Sequence, residues 1–254
     1  MLVEDGQWIM RGLEWDNPYR IRTWEELVNW VGEVGFLPFF SGEVEGFSAE
    51  EHVSPDFWWT GVKEEDPWEW REIIAADHRV AYGKFFDKKA GFISRAWLPY
   101  FVNARREGYD FDALWEDGKI GRREKKIMDF FVAEEDGETV FKDQYILSTD
   151  LKKQAGFGKG GLKNFPGITT ELQMMTYLVI SDFKRRVNKK GEEYGMAVSV
   201  LLPPEKIWGY DHVTSAYSEK PSRSWERIIA RVQELYPDAE ETDIIRLIGK
   251  RPAE

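Results

Sequence analysis

The usual nucleophiles and metal ligands are scarce in this chain, so its chemistry must be sought among its charges. The 254 residues contain no cysteine, and the three histidines, His52, His78 and His212, are widely spaced. Disulfides, thiol catalysis and thiolate metal sites are thereby excluded. Neither a histidine metal site nor a Ser-His-Asp triad is expected, and no cofactor is implied. The prominent feature is cationic. Residues 151–191 hold nine Lys/Arg against Glu171 and Asp182, a net +7 in a chain of formal charge −11. A basic segment of this kind is the footprint of a surface that meets a polyanion. Lys159 and Lys163 fall in a glycine-rich turn, whereas Lys184, Arg185, Arg186, Lys189 and Lys190 surround the tip of an apolar hairpin. Lys84, Lys88, Lys89 and Arg95 are interleaved with aromatics between Tyr82 and Phe101, a composition that suits nucleic-acid contact. Lysine stems lying along an apolar element would look the same.

The elements that must position these residues can be read from pattern. Ser148-Thr149-Asp150 opens a helix that Gly156 stops. Pro166-Gly167 closes the following turn. Ile168, Leu172 and Met175 then recur as one apolar stripe of a second helix. That spacing turns Thr169, Thr170 and Gln173 away from the stripe. A strand over Tyr177–Ile180, a basic tip and a strand over Met196–Leu202 follow, ending at Pro203-Pro204. Helix, turn, helix, strand, basic loop, strand is the order of a winged helix, whose second helix can enter a DNA groove while the loop reaches phosphates. The same order also occurs in protein-interaction modules, so pattern alone does not settle function.

Upstream, acids and aromatics dominate. Residues 1–78 carry eighteen acids and five bases, and the chain has 12 Trp and 16 Phe. A bulky aromatic core is expected, with one face able to meet a polyanion. Gln7-Trp8, Leu13-Glu14-Trp15 and Tyr19 suggest an arm packed on the body. Thr23-Trp24-Glu25-Glu26 is a capping box, and Trp24, Leu27, Val28 and Val31 form a helix face ending near Gly35. Pro67 suits the first turn of a helix from Trp68 to about Asp77. Gly108 to Gly118 is an acidic, turn-rich boundary. Arg122 to Glu134 reads as a helix with Ile127, Phe130 and Phe131 inward. Ser224 caps a final amphipathic helix, and Asp238-Ala239-Glu240-Glu241 opens a short last one. No internal repeat is visible in the sequence. No apolar run of membrane-spanning length and no signal peptide is present, so no membrane association is expected and the cytoplasm is the expected setting.

Gly83-Lys84-Phe85-Phe86-Asp87-Lys88-Lys89-Ala90-Gly91-Phe92-Ile93-Ser94, paired with the unit over 119–208, resembles the bacterial AlkZ/YcaQ superfamily of monofunctional DNA glycosylases. The sequence is similar above all to the AlkZ-related branch, through Val34-Gly35-Phe36-Leu37-Pro38, the segment Asp66-Pro67-Trp68-Glu69-Trp70-Arg71-Glu72, and residues 152–161 (KKQAGFGKGG). The likeness covers most of 24–217. It implies tandem winged helices and double-stranded DNA as partner. Arg185, Lys190, Gly191 and Tyr194 fit the family's wing loosely. The glycosylases carry a polar catalytic pair where this chain has Pro38-Phe39-Phe40, and their histidine is replaced by Lys88. Proline and phenylalanine can neither position water nor stabilise an oxocarbenium ion.

The resulting expectation is an α+β, helix-rich protein with three parts: an acidic, Trp-rich region over 1–118 that could be a degenerate winged helix, a winged helix-turn-helix unit over 119–212, and C-terminal helices over 213–254. It would bind duplex DNA without the usual catalytic motif. Thr169, Thr170 and Gln173 would face the groove. Lys159, Lys163, Lys184, Arg185, Arg186, Lys189 and Lys190 would hold phosphates, and Lys84, Lys88 and Lys89 would add to the nucleic-acid contact surface. Two alternatives stand beside it. One is an active glycosylase rebuilt around Asp87, whose neighbouring lysines would keep its carboxylate ionised to orient water. The other is a protein-interaction module that does not bind nucleic acid.

Overall fold

Thr23 caps the first long helix, its hydroxyl accepting the Glu26 N–H, while Glu26 accepts the Arg22 N–H in place of the Thr23 N–H that a capping box uses. In the computed structural model, which describes residues 2–4, 7–135 and 138–253, two short strands, β1 (Leu2–Glu4) and β2 (Gln7–Ile9), precede this helix. Helix α1 (Trp24–Val34) buries Leu27, Val28, Val31 and Val34, and Gly35 ends it at φ +101°. β3 (Phe36–Pro38) follows at once, and then single helical turns at Glu50–His52 and Pro55–Phe57. Asp66 caps α2 (Pro67–Asp77) by accepting the Trp68 N–H, with proline in the first turn. β4 (Val80–Phe86) and β5 (Lys89–Ser94) form a hairpin that runs into α3 (Leu98–Arg106).

The second half begins with α4 (Phe111–Glu116) and α5 (Arg122–Met128). The helix expected to Glu134 therefore ends early. Val132 instead opens a hairpin of β6 (Val132–Glu135) and β7 (Glu138–Phe141), with Asp136-Gly137 between them in sequence, a turn signal that outranks helical periodicity. Then come α6 (Ser148–Gln154), α7 (Phe165–Met174), β8 (Val179–Val187) and β9 (Glu193–Leu202). The chain closes with α8 (Pro204–Trp208), α9 (Tyr210–Val213), α10 (Pro221–Leu235) and α11 (Glu241–Ile248). Helix α10 starts at Pro221, so Ser224 is not its cap. Ser224 is buried instead, accepting from Asn103 Nδ2 and donating to Glu219.

One antiparallel sheet, ordered β3-β5-β4-β8-β9, joins the two halves. The seam is the pair Tyr82↔Ile180 between β4 and β8. Each half repeats one topology. The first runs α1, β3, helical turns, α2, β4, β5, with β3 pairing β5. The second runs α5, the added β6–β7 hairpin, a bridging Leu147, α6, α7, β8, β9, with Leu147 bridging Val200 of β9. The corresponding strands of the two halves, β4 and β8, pair antiparallel. The sequence shows no repeat because the halves share topology, not residues. Each third helix also crosses the seam, α2 packing on β8 and α7 on β4. Nε2 of His78 lies 2.9 Å from the Ser181 carbonyl oxygen, across the same seam.

Burial separates two apolar clusters. The larger takes residues between Ile21 and Ala104, including Phe36, Phe39, Phe86, Phe92 and Phe101, together with Val213, Ile228, Val232 and Leu247 of the C-terminal helices. The smaller runs from Phe111 to Leu201. Pro38-Phe39-Phe40 is core: Phe39 is fully buried against Trp58, Trp68, Tyr82 and Phe92. The N-terminal arm departs from expectation in that Trp15 and Tyr19 are exposed, and among its residues of described burial only Ile21 is buried. The side chains of Gln7 and Trp8 lie outside the described set. No helix among the described residues is long and apolar enough to cross a membrane.

Candidate nucleic-acid interface

The β8–β9 hairpin is the chain's most prominent cationic projection. Lys184, Arg185 and Arg186 sit within β8 rather than at the tip, because the strand continues to Val187. The tip proper, Asn188 to Glu192, is built by Asn188: its Oδ1 accepts the N–H of both Lys190 and Glu192. Gly191 takes φ +83° there, which the turn requires. All five bases are exposed. Lys184 is partly neutralised by Asp182, whose carboxylate lies 2.9 Å from its Nζ and also accepts the Tyr145 hydroxyl. Arg185 Nη1 donates to the Gly195 carbonyl at 3.3 Å. On its side of the strand Glu72 of α2 has a raised pKa, chiefly from burial, against a downward pull from Arg71 and Arg185. Arg186, Lys189 and Lys190 point to solvent. Over 184–196 the hairpin carries five bases against Glu192 and Glu193. Val187, Tyr194 and Met196 are exposed among them, Met196 at 88%.

The residues assigned to the groove-facing helix lie elsewhere. Thr169, Thr170 and Gln173 are all buried. Thr169 turns its hydroxyl back to the Phe165 and Pro166 carbonyls. Gln173 spans the seam: Oε1 accepts the Lys84 N–H at 3.0 Å and Nε2 donates to the Thr169 carbonyl at 3.0 Å. The apolar stripe of α7 packs in the smaller cluster while its other face is covered by β4. Pattern reading of one helix could not reveal that a distant strand occupies its polar face.

Asp87 and Lys88 form the two-residue turn between β4 and β5, with φ +45° and +65° and Phe86 paired to Lys89. Both are exposed, as is Lys89, while Lys84 is half-buried. The enclosure that strengthens an active-site carboxylate is lacking around Asp87, whose position is that of a turn former. Sheet register also separates the two basic groups. β4 and β8 run antiparallel through Tyr82 and Ile180, so the Asp87–Lys88 turn and the β8–β9 tip leave opposite ends of the sheet. From Lys88 to Tyr82 and on from Ile180 to Lys189, at about 3.3 Å per residue, they stand on the order of 50 Å apart. One continuous cationic face does not form. Lys159 and Lys163 are exposed in the α6–α7 loop, which is closed by the Leu162 N–H on the Gly156 carbonyl.

Among the described residues, no group of three or more His, Asp or Glu could hold a metal ion. Fold and surface together define a mixed helix-and-sheet protein whose aromatic body carries a projecting basic hairpin. The sequence matches the model of the AlkZ-related family over residues 21–249, nearly the whole chain, and the protein belongs to that family. Comparison with curated proteins and with solved structures gave no match.

Proposed function

We propose that this chain is a winged-helix DNA-binding protein, related to the alkylpurine and crosslink glycosylases, that holds duplex DNA through the β8–β9 hairpin. The observation that carries the reading is the hairpin's exposed cationic tip on an otherwise acidic chain. Family membership supports it. So does strand order, since β5 lies between β3 and β4, and β9 lies between β8 and the single bridging residue Leu147, the order expected of a winged helix. The division into 1–118, 119–212 and 213–254 belongs to the same reading, with the last part completing the first part's core. Phosphates fall to Arg185, Arg186, Lys189 and Lys190, with Lys184 held back by Asp182. The usual base-excision pair is absent because Pro38-Phe39-Phe40 fills the larger core.

Fluorescence anisotropy on a labelled duplex tests this. Four phosphate contacts give a log-affinity against log-salt slope of about −3.6. Absence of binding at about 50 mM salt, where phosphate contacts are strong, refutes the reading.

A further inference from the structure

Arg105 and Arg106 are neighbours at the end of α3, and their environments are opposite. Arg106 has a countercharge: Nη1 donates to the buried Glu205 carboxylate at 2.5 Å and Nη2 to the Thr176 carbonyl at 2.7 Å, although its Nε is buried without a partner. Arg105 has no carboxylate within ion-pair reach among the described residues. Its Nη2 donates to the Phe85 and Ile248 carbonyls, its guanidinium lies 4.8 Å from the centre of the Phe101 ring, and its Nη1 is sealed from solvent without a partner. Burial alone drags its pKa down to about 9, with no anion to restore it. A desolvated cation without a countercharge is costly, and such groups concentrate where a ligand supplies the missing charge.

Arg105 lines a cavity of about 330 Å³, within the range of small-molecule sites. One wall is apolar and polarisable, built from Met174, Met175, Trp225 and Ile228. Thioethers and an indole suit the face or edge of an aromatic ring. The C-terminal segment forms another wall. It is pinned by Trp225 Nε1–H donating to the Gly249 carbonyl at 2.9 Å and by Arg251 on Glu226 at 2.7 Å. Lys250 and Arg251 add two further exposed cations to the lining, and Glu107 is the only acid among its described residues. The cavity adjoins the β4–β5 turn, where the Lys88 N–H meets Met174 Sδ at 3.3 Å. It therefore lies at the end of the sheet away from the β8–β9 tip.

We propose that this cavity binds a small organic anion, a carboxylate or phosphomonoester carried on an aromatic body, with the charges of Arg105 and Lys250 attracting the anion and the methionine–tryptophan wall receiving the ring. The site is separate from the DNA surface, so either can fail without the other.

Titration calorimetry on the full chain with phenyl phosphate, phenylacetate, benzyl alcohol and inorganic phosphate tests it. Binding of phenyl phosphate or phenylacetate is expected, and whichever binds tighter identifies the headgroup. Benzyl alcohol and inorganic phosphate bind at least tenfold more weakly. Arg105→Met weakens the preferred probe at least tenfold, the scale of a charge–charge attraction in a partly buried site. Because Arg105 also ties Phe85 and Ile248, exposed Lys250→Ala is the second variant, with an expected loss of about two- to fivefold. Nitrogen-15 spectra of the unmodified chain should show one guanidinium signal shifting on addition of the preferred probe. Equal binding of benzyl alcohol, inorganic phosphate bound as tightly as phenyl phosphate, or no binding of either anionic ring overturns the proposal. Undiminished binding in both variants does so as well.

Discussion

Replacing Gln173 by alanine separates a seam residue from a groove-reading one. The side chain is 4% exposed and makes two neutral hydrogen bonds, one to the Lys84 N–H of β4 and one to the Thr169 carbonyl. Each contributes about 1 kcal/mol net, and leaving the Lys84 N–H without its acceptor costs about 1 kcal/mol more. Gln173→Ala should therefore destabilise by about 2–3 kcal/mol. For a chain of this size that lowers Tm by about 5–10 °C. Urea unfolding followed by tryptophan fluorescence gives the free energy, and calorimetry the Tm. DNA affinity at temperatures well below the transition should stay within about twofold, because the side chain meets no ligand. A solvent-facing glutamine would behave in the reverse way, with stability changed by less than about 0.5 kcal/mol and affinity lowered. That reversed pattern would refute the buried seam.

Other perturbations have definite expected outcomes. Glu205→Ala strands the buried Arg106 and should cost about 3–5 kcal/mol in urea unfolding, most of it recovered by adding Arg106→Met. Burial pushes Tyr82 up to about 12, above its ordinary value, so its share of stability is complete below pH 10 and is lost as pH rises from 10 towards 12. Tyr82→Phe should recover roughly 3 kcal/mol at the top of that window and nothing at pH 7, as alkaline unfolding curves would show. Lys88 holds φ +65° in its turn, and Lys88→Gly should raise stability by about 1 kcal/mol, read as a Tm increase.

Local signals were the legible part of the sequence. Thr23 as a helix cap, Pro67 in a first turn and the order of elements from Ser148 to Leu202 follow the sequence reading, because each depends on residues close in the chain; the bounds differ, since Pro166-Gly167 falls inside α7 and Lys184-Arg185-Arg186 inside β8. Long-range pairing was not legible. Nothing in Ile168, Leu172 and Met175 discloses that β4 covers the opposite face of their helix. Nothing in Tyr82 discloses its pairing with Ile180, which turns two basic clusters into opposite ends of one sheet. The early end of α5 shows a related limit, since Phe130 and Phe131 fit a helical face as well as a turn into β6. The cavity at Arg105 left no sequence signature either, because α3, α7, α10 and the C-terminal segment meet there only in three dimensions. Exposure of Val187, Tyr194 and Met196 was hidden for a similar reason: apolar residues in a strand read as core until the strand is seen to leave the body.

Two triple variants test the central claim most directly when compared on the same labelled duplex: Arg186→Ala, Lys189→Ala and Lys190→Ala at the β8–β9 tip, against Lys84→Ala, Lys88→Ala and Lys89→Ala at the opposite end of the sheet. If the hairpin holds the phosphates, the tip variant loses about 2.7 units of salt slope and the other variant keeps the full slope. Equal losses in both, or a loss confined to the Lys84, Lys88 and Lys89 variant, would contradict the account.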